Sequence, residues 1–328
     1  MNLKGACEQK VISFNNTSKT VFENYEGVDV IRLGIVGVLA SQPIALNYRQ
    51  EINKLLKNFE PDIIHVHLPN PLAVLSLLSV DIKNSKVVVH WHSDIVRQRF
   101  LKIFYKPFEN LFLKRADKII TTSHNLLHGS DTLPYFSEKV VVFPLGMDFK
   151  KLEIGYKPQR ENKVFFVGRH VPYKGLEYLI KAAPFIKGKI VIAGEGPLSE
   201  KLKKMASGLD NVSFIGKVSN DEKLYHLYTS KVFAFPSISK NEAFGLAMVE
   251  ALYCGTPAVC FEIEGSGVGW VNQNNLTGFV VENGNHIAFA DAINRLLQND
   301  ELWNAMSQRA KEWAIEQFSL EKFISNVV

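Results

Sequence analysis

The chain of 328 residues is 46% hydrophobic and 22% charged, with a formal net charge of +5, values that exclude a disordered or fibrous polypeptide and suit a soluble protein of two domains. The mild positive balance leaves no footprint for nucleic acid, and no run approaches the ~18 apolar residues of a membrane span. Three cysteines, Cys7, Cys254 and Cys260, stand at no metal-ligand spacing and leave one without a mate, which points to a reducing, cytoplasmic compartment.

In chain order, Met1 to Lys10 is polar and helical at best and carries no signal pattern, while Val11 to Phe14 and Val28 to Arg32 read as short strands. Tyr48 to Phe59 has the periodicity of an amphipathic helix stopped by Pro61. Asp62 to His67 follows as a strand, Pro71 to about Ser79 as an apolar helix, and Lys86 to Trp91 as a β-branched strand of the doubly buried parallel kind. Asp117 to Thr122 and Lys139 to Phe143 are further strands, and Pro144 to Asn162 reads as a linker, so the expected domains are residues 1–150 and 151–328. The second half repeats the alternation. Its strands are Lys163–Val167, Lys189–Ala193, Val212–Ile215, Lys231–Phe235, Pro257–Phe261 and Gly278–Val281, with long amphipathic helices from Asn285 to Phe318. Strands alternating with helices predict two doubly wound α/β domains on parallel sheets.

The run Asn241 to Leu252 carries two carboxylates, Glu242 and Glu250, eight positions apart, between Phe235-Pro236-Ser237 and Gly255-Thr256-Pro257. Eight residues of α-helix make about 2.2 turns, so Glu242 just before the helix and Glu250 inside it can face the same cleft, about 12 Å apart. That is too wide for a pair flanking one glycosidic bond. It suits two groups gripping opposite ends of a long ligand, with the amides of Phe244, Gly245 and Leu246 at the helix N-terminus stabilising an anion between them. A capping Glu242 and a solvated Glu250 are the ordinary outcome at such spacing. The flanking strands favour the site, because ligands of parallel sheets lie beyond the carboxyl ends of the strands.

Together, Phe235-Pro236-Ser237, the Glu-x7-Glu pair with Phe244-Gly245 inside it, and Gly255-Thr256-Pro257 resemble the retaining nucleotide-sugar glycosyltransferases of family 4. The resemblance covers nearly the whole chain, strongly from Lys163 to Val281 and weakly in Met1 to Asn58. It implies the GT-B fold: two Rossmann-like domains facing a cleft, an acceptor-side N-terminal one and a C-terminal one for the nucleotide sugar. Family members open with an apolar strand and a glycine-rich loop. Here Val11 to Phe14 matches the family's second strand, so the N-terminal domain is expected to lack the first strand and the loop, and the chain to be truncated.

Phe166 to Leu176 runs from a strand through a loop into a helix, with Gly168, Arg169 and Lys174 in the loop. Two cations at a strand's carboxyl end can neutralise a departing diphosphate, the role the resemblance gives Arg169 and Lys174. Gly194, in the turn Ala193 to Leu198, allows close approach of ligand or backbone. The resemblance further implies that the main chain near Lys217 and Val218 meets the base, that Glu242 holds the donor sugar's hydroxyls and that Glu250 holds the ribose. His92, at the end of the strand Lys86 to Trp91, matches a histidine that contacts the donor sugar. The implied catalytic set is His92, Arg169, Lys174 and Glu242. It works by a same-face displacement in which the leaving phosphate takes the acceptor proton, with no metal or other cofactor. The run His92 to Gln98 is similar to bacterial mannosyl- or rhamnosyl-type transferases of lipopolysaccharide O-antigen or capsule assembly.

His65 and His67 alternate on one strand, but no cysteine or third histidine stands at metal spacing, so a zinc site is not expected; His90 and Trp91 read as packing groups. Arg97 to Arg115 is the most basic stretch, with Phe100, Phe104, Phe108 and Leu111 on one helical face. Such a helix either lies on an anionic membrane surface, suiting a lipid-linked or glycan acceptor and a peripheral location, or packs on the sheet with a solvated basic face. Two other functions compete: a non-catalytic remnant that only binds nucleotide sugar, and a dinucleotide-dependent oxidoreductase. The second suffers because no Gly-x-Gly-x-x-Gly follows any strand.

Overall fold

The computed structural model describes residues 7–39, 42–95, 99–155 and 158–327. The first half runs through β1 (Lys10–Phe14), β2 (Val21–Tyr25), β3 (Val28–Leu33), β4 (Gly37–Leu39), β5 (Gln42–Ile44), α1 (Tyr48–Phe59), β6 (Ile63–Leu68) and α2 (Pro71–Leu78). It continues with β7 (Lys86–Trp91), α3 (Arg99–Arg115), β8 (Lys118–Thr121), α4 (His124–Gly129) and β9 (Val140–Val142). The second half holds β10 (Glu161–Val167), α5 (Leu176–Ala182), β11 (Lys189–Ala193), α6 (Ser199–Met205), β12 (Val212–Gly216), α7 (Asn220–Thr229) and β13 (Ser230–Phe235). After these come α8 (Leu246–Tyr253), β14 (Ala258–Phe261), α9 (Val268–Val271), β15 (Gly278–Val281), α10 (His286–Gln298), α11 (Asp300–Phe318) and α12 (Leu320–Val327). Most of the expected strands and helices are present with ends shifted by a residue or two. The reading of Met1 to Ala6 lies outside the described residues.

The chain packs as two units, Met1–Ile120 with Tyr135–Val141, and Thr121–Pro134 with Val142–Val328. In the first unit β1 and β3 pair in parallel, β2 adds antiparallel to β3, β4 and β5 form a ribbon, and a separate sheet has the order β6-β7-β8-β9. Among the described residues no strand joins β1 to β6. Sequence reading missed β2 and the β4–β5 ribbon. The β2–β3 hairpin turns at Glu26 and Gly27, both at positive φ (51° and 88°), the backbone of a type I′ turn. Glu-Gly signals that turn less clearly than Asn-Gly, and β2 has no buried residue to mark a core face.

The second unit is built on six parallel strands in the order β12-β11-β10-β13-β14-β15. Successive side chains of a strand point to opposite faces. Accordingly Phe165, Phe233, Phe235 and Cys260 enter one apolar layer with Met248, Leu252 and Phe318. Val164, Phe166, Ala234 and Phe261 enter the other with Leu179, Ile192 and Phe289. The strand order grows one way from β10 and the other way from β13, so the switch point lies between them. The loops leaving the carboxyl ends of those two strands are where such a sheet binds ligands.

Candidate active site

Those two loops carry the residues singled out in the sequence. The loop after β10 ends in a tight turn, Pro172–Lys174, which delivers Lys174 to the loop after β13. There the Lys174 Nζ donates to Glu242 Oε2 at 2.5 Å, and Ser237 Oγ donates to the same oxygen at 2.9 Å. Both side chains of the ion pair are largely buried, at 13% and 11% exposure. Lys174 Nζ also lies 5.2 Å from the centre of the Phe235 ring, a cation–π contact that holds it over apolar surface. The Glu242 carbonyl accepts from Ser266 Oγ, so the backbone of this loop is fixed as well.

Glu242 stands before the helix and Glu250 inside it, as expected, but α8 begins only at Leu246, and Gly245 before it sits at φ 94°. A helical rise therefore does not measure the distance between the two carboxylates. Glycine is required at 245 because a side chain there would meet the Phe235 ring at 3.0 Å and strain the left-handed backbone. The result keeps the anion-binding feature. None of the Phe244, Gly245 and Leu246 amides donates to a backbone carbonyl among the described residues, as at any helix start. Glu250 projects from α8 to α7, where Lys223 Nζ donates to its Oε1 at 2.7 Å. Sequence reading missed Lys223 because that contact is tertiary, with no local spacing to betray it. Ser237, in the Phe235-Pro236-Ser237 motif, is a second donor to Glu242 that no local spacing signals.

Arg169 is exposed and, among the described residues, forms no ion pair, leaving its guanidinium available at the same loop. Gly168 and Gly194 lie back to back. A side chain on Gly194, at φ 107°, would strike the Gly168 carbonyl oxygen at 2.0 Å, so glycine permits the ends of β10 and β11 to approach. Next to them a pocket of about 600 Å³ is lined by His170, Gly194, Glu195, Phe214, Gly216 and Lys217 among others. Val218 follows it, half-buried against the apolar layer. His170 was not anticipated as a lining residue; it is buried, with Nδ1 2.9 Å from Ser199 Oγ.

In the first unit β6 and β7 pair in parallel with His67 opposite His90. With a side-chain period of two, His65, His67, His90 and His92 fall on one face. Their rings stack with centroids 4.4–5.7 Å apart, and His67 Nδ1 lies 2.8 Å from His92 Nε2. The neighbouring strand brings His90 and His92 beside His65 and His67, a proximity that spacing along the sequence does not show. Burial pushes His65 and His92 down to about 4 and His90 to about 3, so these rings are neutral at physiological pH. Trp91, by contrast, is a packing group as expected, fully buried with its Nε1 donating to Asp94 at 3.1 Å.

Helix α3 carries apolar residues on both its inner and its outer side. Tyr105, Phe112 and Leu113 face inward, while Ile103, Phe104, Phe108 and Leu111 are 66%, 76%, 47% and 56% exposed. Phe104, Phe108 and Leu111 of the apolar face identified from periodicity therefore point to solvent. Lys114 and Arg115 are exposed at its C-terminal end. Arg97 and Gln98 lie outside the described residues. Among those described, no helix is long and apolar enough to cross a membrane.

Comparison with solved structures places this architecture. A sucrose-phosphate synthase from Thermosynechococcus elongatus matches with a TM-score of 0.77 at 19% identity, over 97% of this chain and 86% of that one. The Anabaena protein HepE, solved with UDP, matches with a TM-score of 0.72 at 18% identity, over 85% and 80%. The fold and the switch-point site define a glycosyltransferase of the GT-B class. Residues 148–313 match the family model of glycosyl transferases group 1, residues 7–151 that of Glycosyltransferase Family 4, and the chain belongs to this family. It is 30% identical to the O-antigen chain mannosyltransferase C of Escherichia coli, over 97% of this chain and 87% of that protein. It is 32% identical to the D-rhamnosyltransferase WbpZ of Pseudomonas aeruginosa, over 83% and 73%.

Proposed function

We propose that this glycosyltransferase is a retaining enzyme that moves a mannosyl- or rhamnosyl-type hexosyl group from a nucleoside diphosphate sugar to a glycan or lipid-linked acceptor. The setting is O-antigen or capsule assembly on the cytoplasmic side of the membrane. The observation that carries the reading is the Lys174–Glu242 pair at the switch point beside the open amides of Phe244, Gly245 and Leu246. A diphosphate arriving there draws on Lys174, Arg169 and the α8 N-terminus, and releases Glu242 to accept hydrogen bonds from sugar hydroxyls. Glu250 serves the ribose, and the pocket at Gly194, Gly216 and Lys217, reaching toward Val218, serves the base. His92, carried by the first unit, is assigned to positioning the sugar. The positive charge that the leaving group needs comes from Arg169 and Lys174, so the chemistry requires no metal. The leaving phosphate takes the acceptor proton on the face of departure. The names of the E. coli and P. aeruginosa relatives support the sugar class. The exposed apolar face of α3 with its basic end supports contact with an anionic lipid surface.

Thermal unfolding with millimolar UDP or GDP tests the donor site. A ligand bound only by the folded state stabilises by RT ln(1 + [L]/Kd), about 2.7 kcal/mol at a hundredfold excess. One nucleotide is expected to raise the transition, and Glu250→Gln and Arg169→Ala to reduce the shift. No shift with either nucleotide defeats the reading of this site as a nucleotide-sugar site.

A further inference from the structure

We propose that His67, His90 and His92 form a binding site for one borderline-soft divalent cation of the zinc class. One ring nitrogen from each lies within 4.8 Å of the others. The arrangement follows from register: His90 and His92 project from one side of the β7 end, and His67 stands opposite His90 on β6. Zinc takes imidazole nitrogens at about 2.0–2.1 Å in tetrahedral sites, which needs ligand atoms about 3.3–3.5 Å from one another. The 2.8 Å between His67 and His92 and the 4.8 Å limit for the set bracket that spacing. The rings stand nearly parallel, and the terminal torsion about which they would turn toward a common point is the soft one of histidine. A second observation points the same way. His90 is 3% exposed, and its Nε2 is buried without a hydrogen-bond partner. A buried polar atom left unpaired in a folded protein calls for a reason, and a bound cation supplies one.

Three imidazoles with no carboxylate in the set favour zinc, nickel or copper over magnesium or calcium. They leave a fourth position for water. Ligation would hold His92 away from a donor sugar, so the cation would inhibit transfer; that consequence rests on the role assigned to His92 above, whereas the site itself does not.

The test is titration of the full, chelator-treated chain with Zn2+ and with Mg2+, followed by calorimetry. One equivalent of Zn2+ and no Mg2+ are expected to bind. His67→Ala and His90→Gln should each weaken Zn2+ by at least about tenfold, while His65→Ala leaves it within about twofold. His67 is exposed, so its replacement keeps the fold, which circular dichroism checks. Absence of saturable Zn2+ uptake, or uptake that His67→Ala leaves unchanged, overturns the proposal. The nucleotide shift is measured without zinc, so the two readings fail separately.

Discussion

Lys174 and Glu242 hold each other in place across 2.5 Å with little solvent between them, so removing either leaves a buried charge unmatched. Lys174→Met is therefore expected to destabilise the second unit by about 3 kcal/mol, the scale for breaking a buried pair. The double variant Lys174→Met/Glu242→Gln should recover part of that loss, because no lone charge remains. Activity should not follow stability. Each change removes a group proposed to act on the donor, and donor turnover should fall by about 10²–10³-fold in both single variants and in the double. Chemical denaturation and a nucleotide-release assay on the same three proteins separate the two effects. Here the sequence displayed both residues and their motifs, but not that they are partners. They lie 68 positions apart, and only the adjacency of β10 and β13 brings their loops together.

At the scale of the element, α3 carries two apolar faces, and only one of them finds a partner inside its unit. Tyr105, Phe112 and Leu113 bury inward beside Glu109, whose carboxyl burial pushes upward despite Lys106 at 3.2 Å. Ile103 and Phe104 stand outward at 66% and 76% exposure. Full burial of such a side chain contributes about 1.5–3 kcal/mol. Ile103→Ser/Phe104→Ser is thus expected to weaken cosedimentation with phosphatidylglycerol vesicles by tenfold or more, an order of magnitude per ~1.4 kcal/mol. Binding by the unchanged protein should also weaken with salt, as screening reduces attraction of the basic end. Equal binding by the variant would remove α3 as the contact. Periodicity found the aromatic face in the sequence. It could not say whether that face met the sheet or the solvent, since a helix has the same repeat in either case.

At the scale of the whole molecule, the two units differ in how completely they bury their apolar surface. The second encloses a six-stranded sheet between two apolar layers. The first leaves Phe22, Tyr25, Val38, Leu39 and Ile63 exposed. Two unfolding transitions are expected, the lower one from the first unit. Buried histidines give the upper one a pH dependence. Burial lowers the pKa of His170, beside Glu195 and Lys203, and of His226, beside Lys163, Glu161 and Glu222. The unfolded rings titrate near ~6.5, so between the lowered folded values and that pH the unfolded chain binds more protons. Their contribution is complete above about pH 6.5 and is lost as pH falls below it. The upper transition should move down on going from pH 7.5 to 5.5. His226→Phe, which keeps the stacking on Phe165, should reduce that movement.

Local pattern alone determined the α/β class, the order of strands and helices in the second unit, the loops that hold Arg169, Lys174 and Glu242, and the helix that carries Glu250. Those features depend on hydrophobic period and glycine placement within a dozen residues, which a chain states directly. Tertiary structure decided the partners: Lys174 with Glu242, Lys223 with Glu250, and the histidine patch across β6 and β7. Each depends on which strands lie side by side and in what register. Pairing energy and burial over the whole sheet set that register, and no short run of residues carries it.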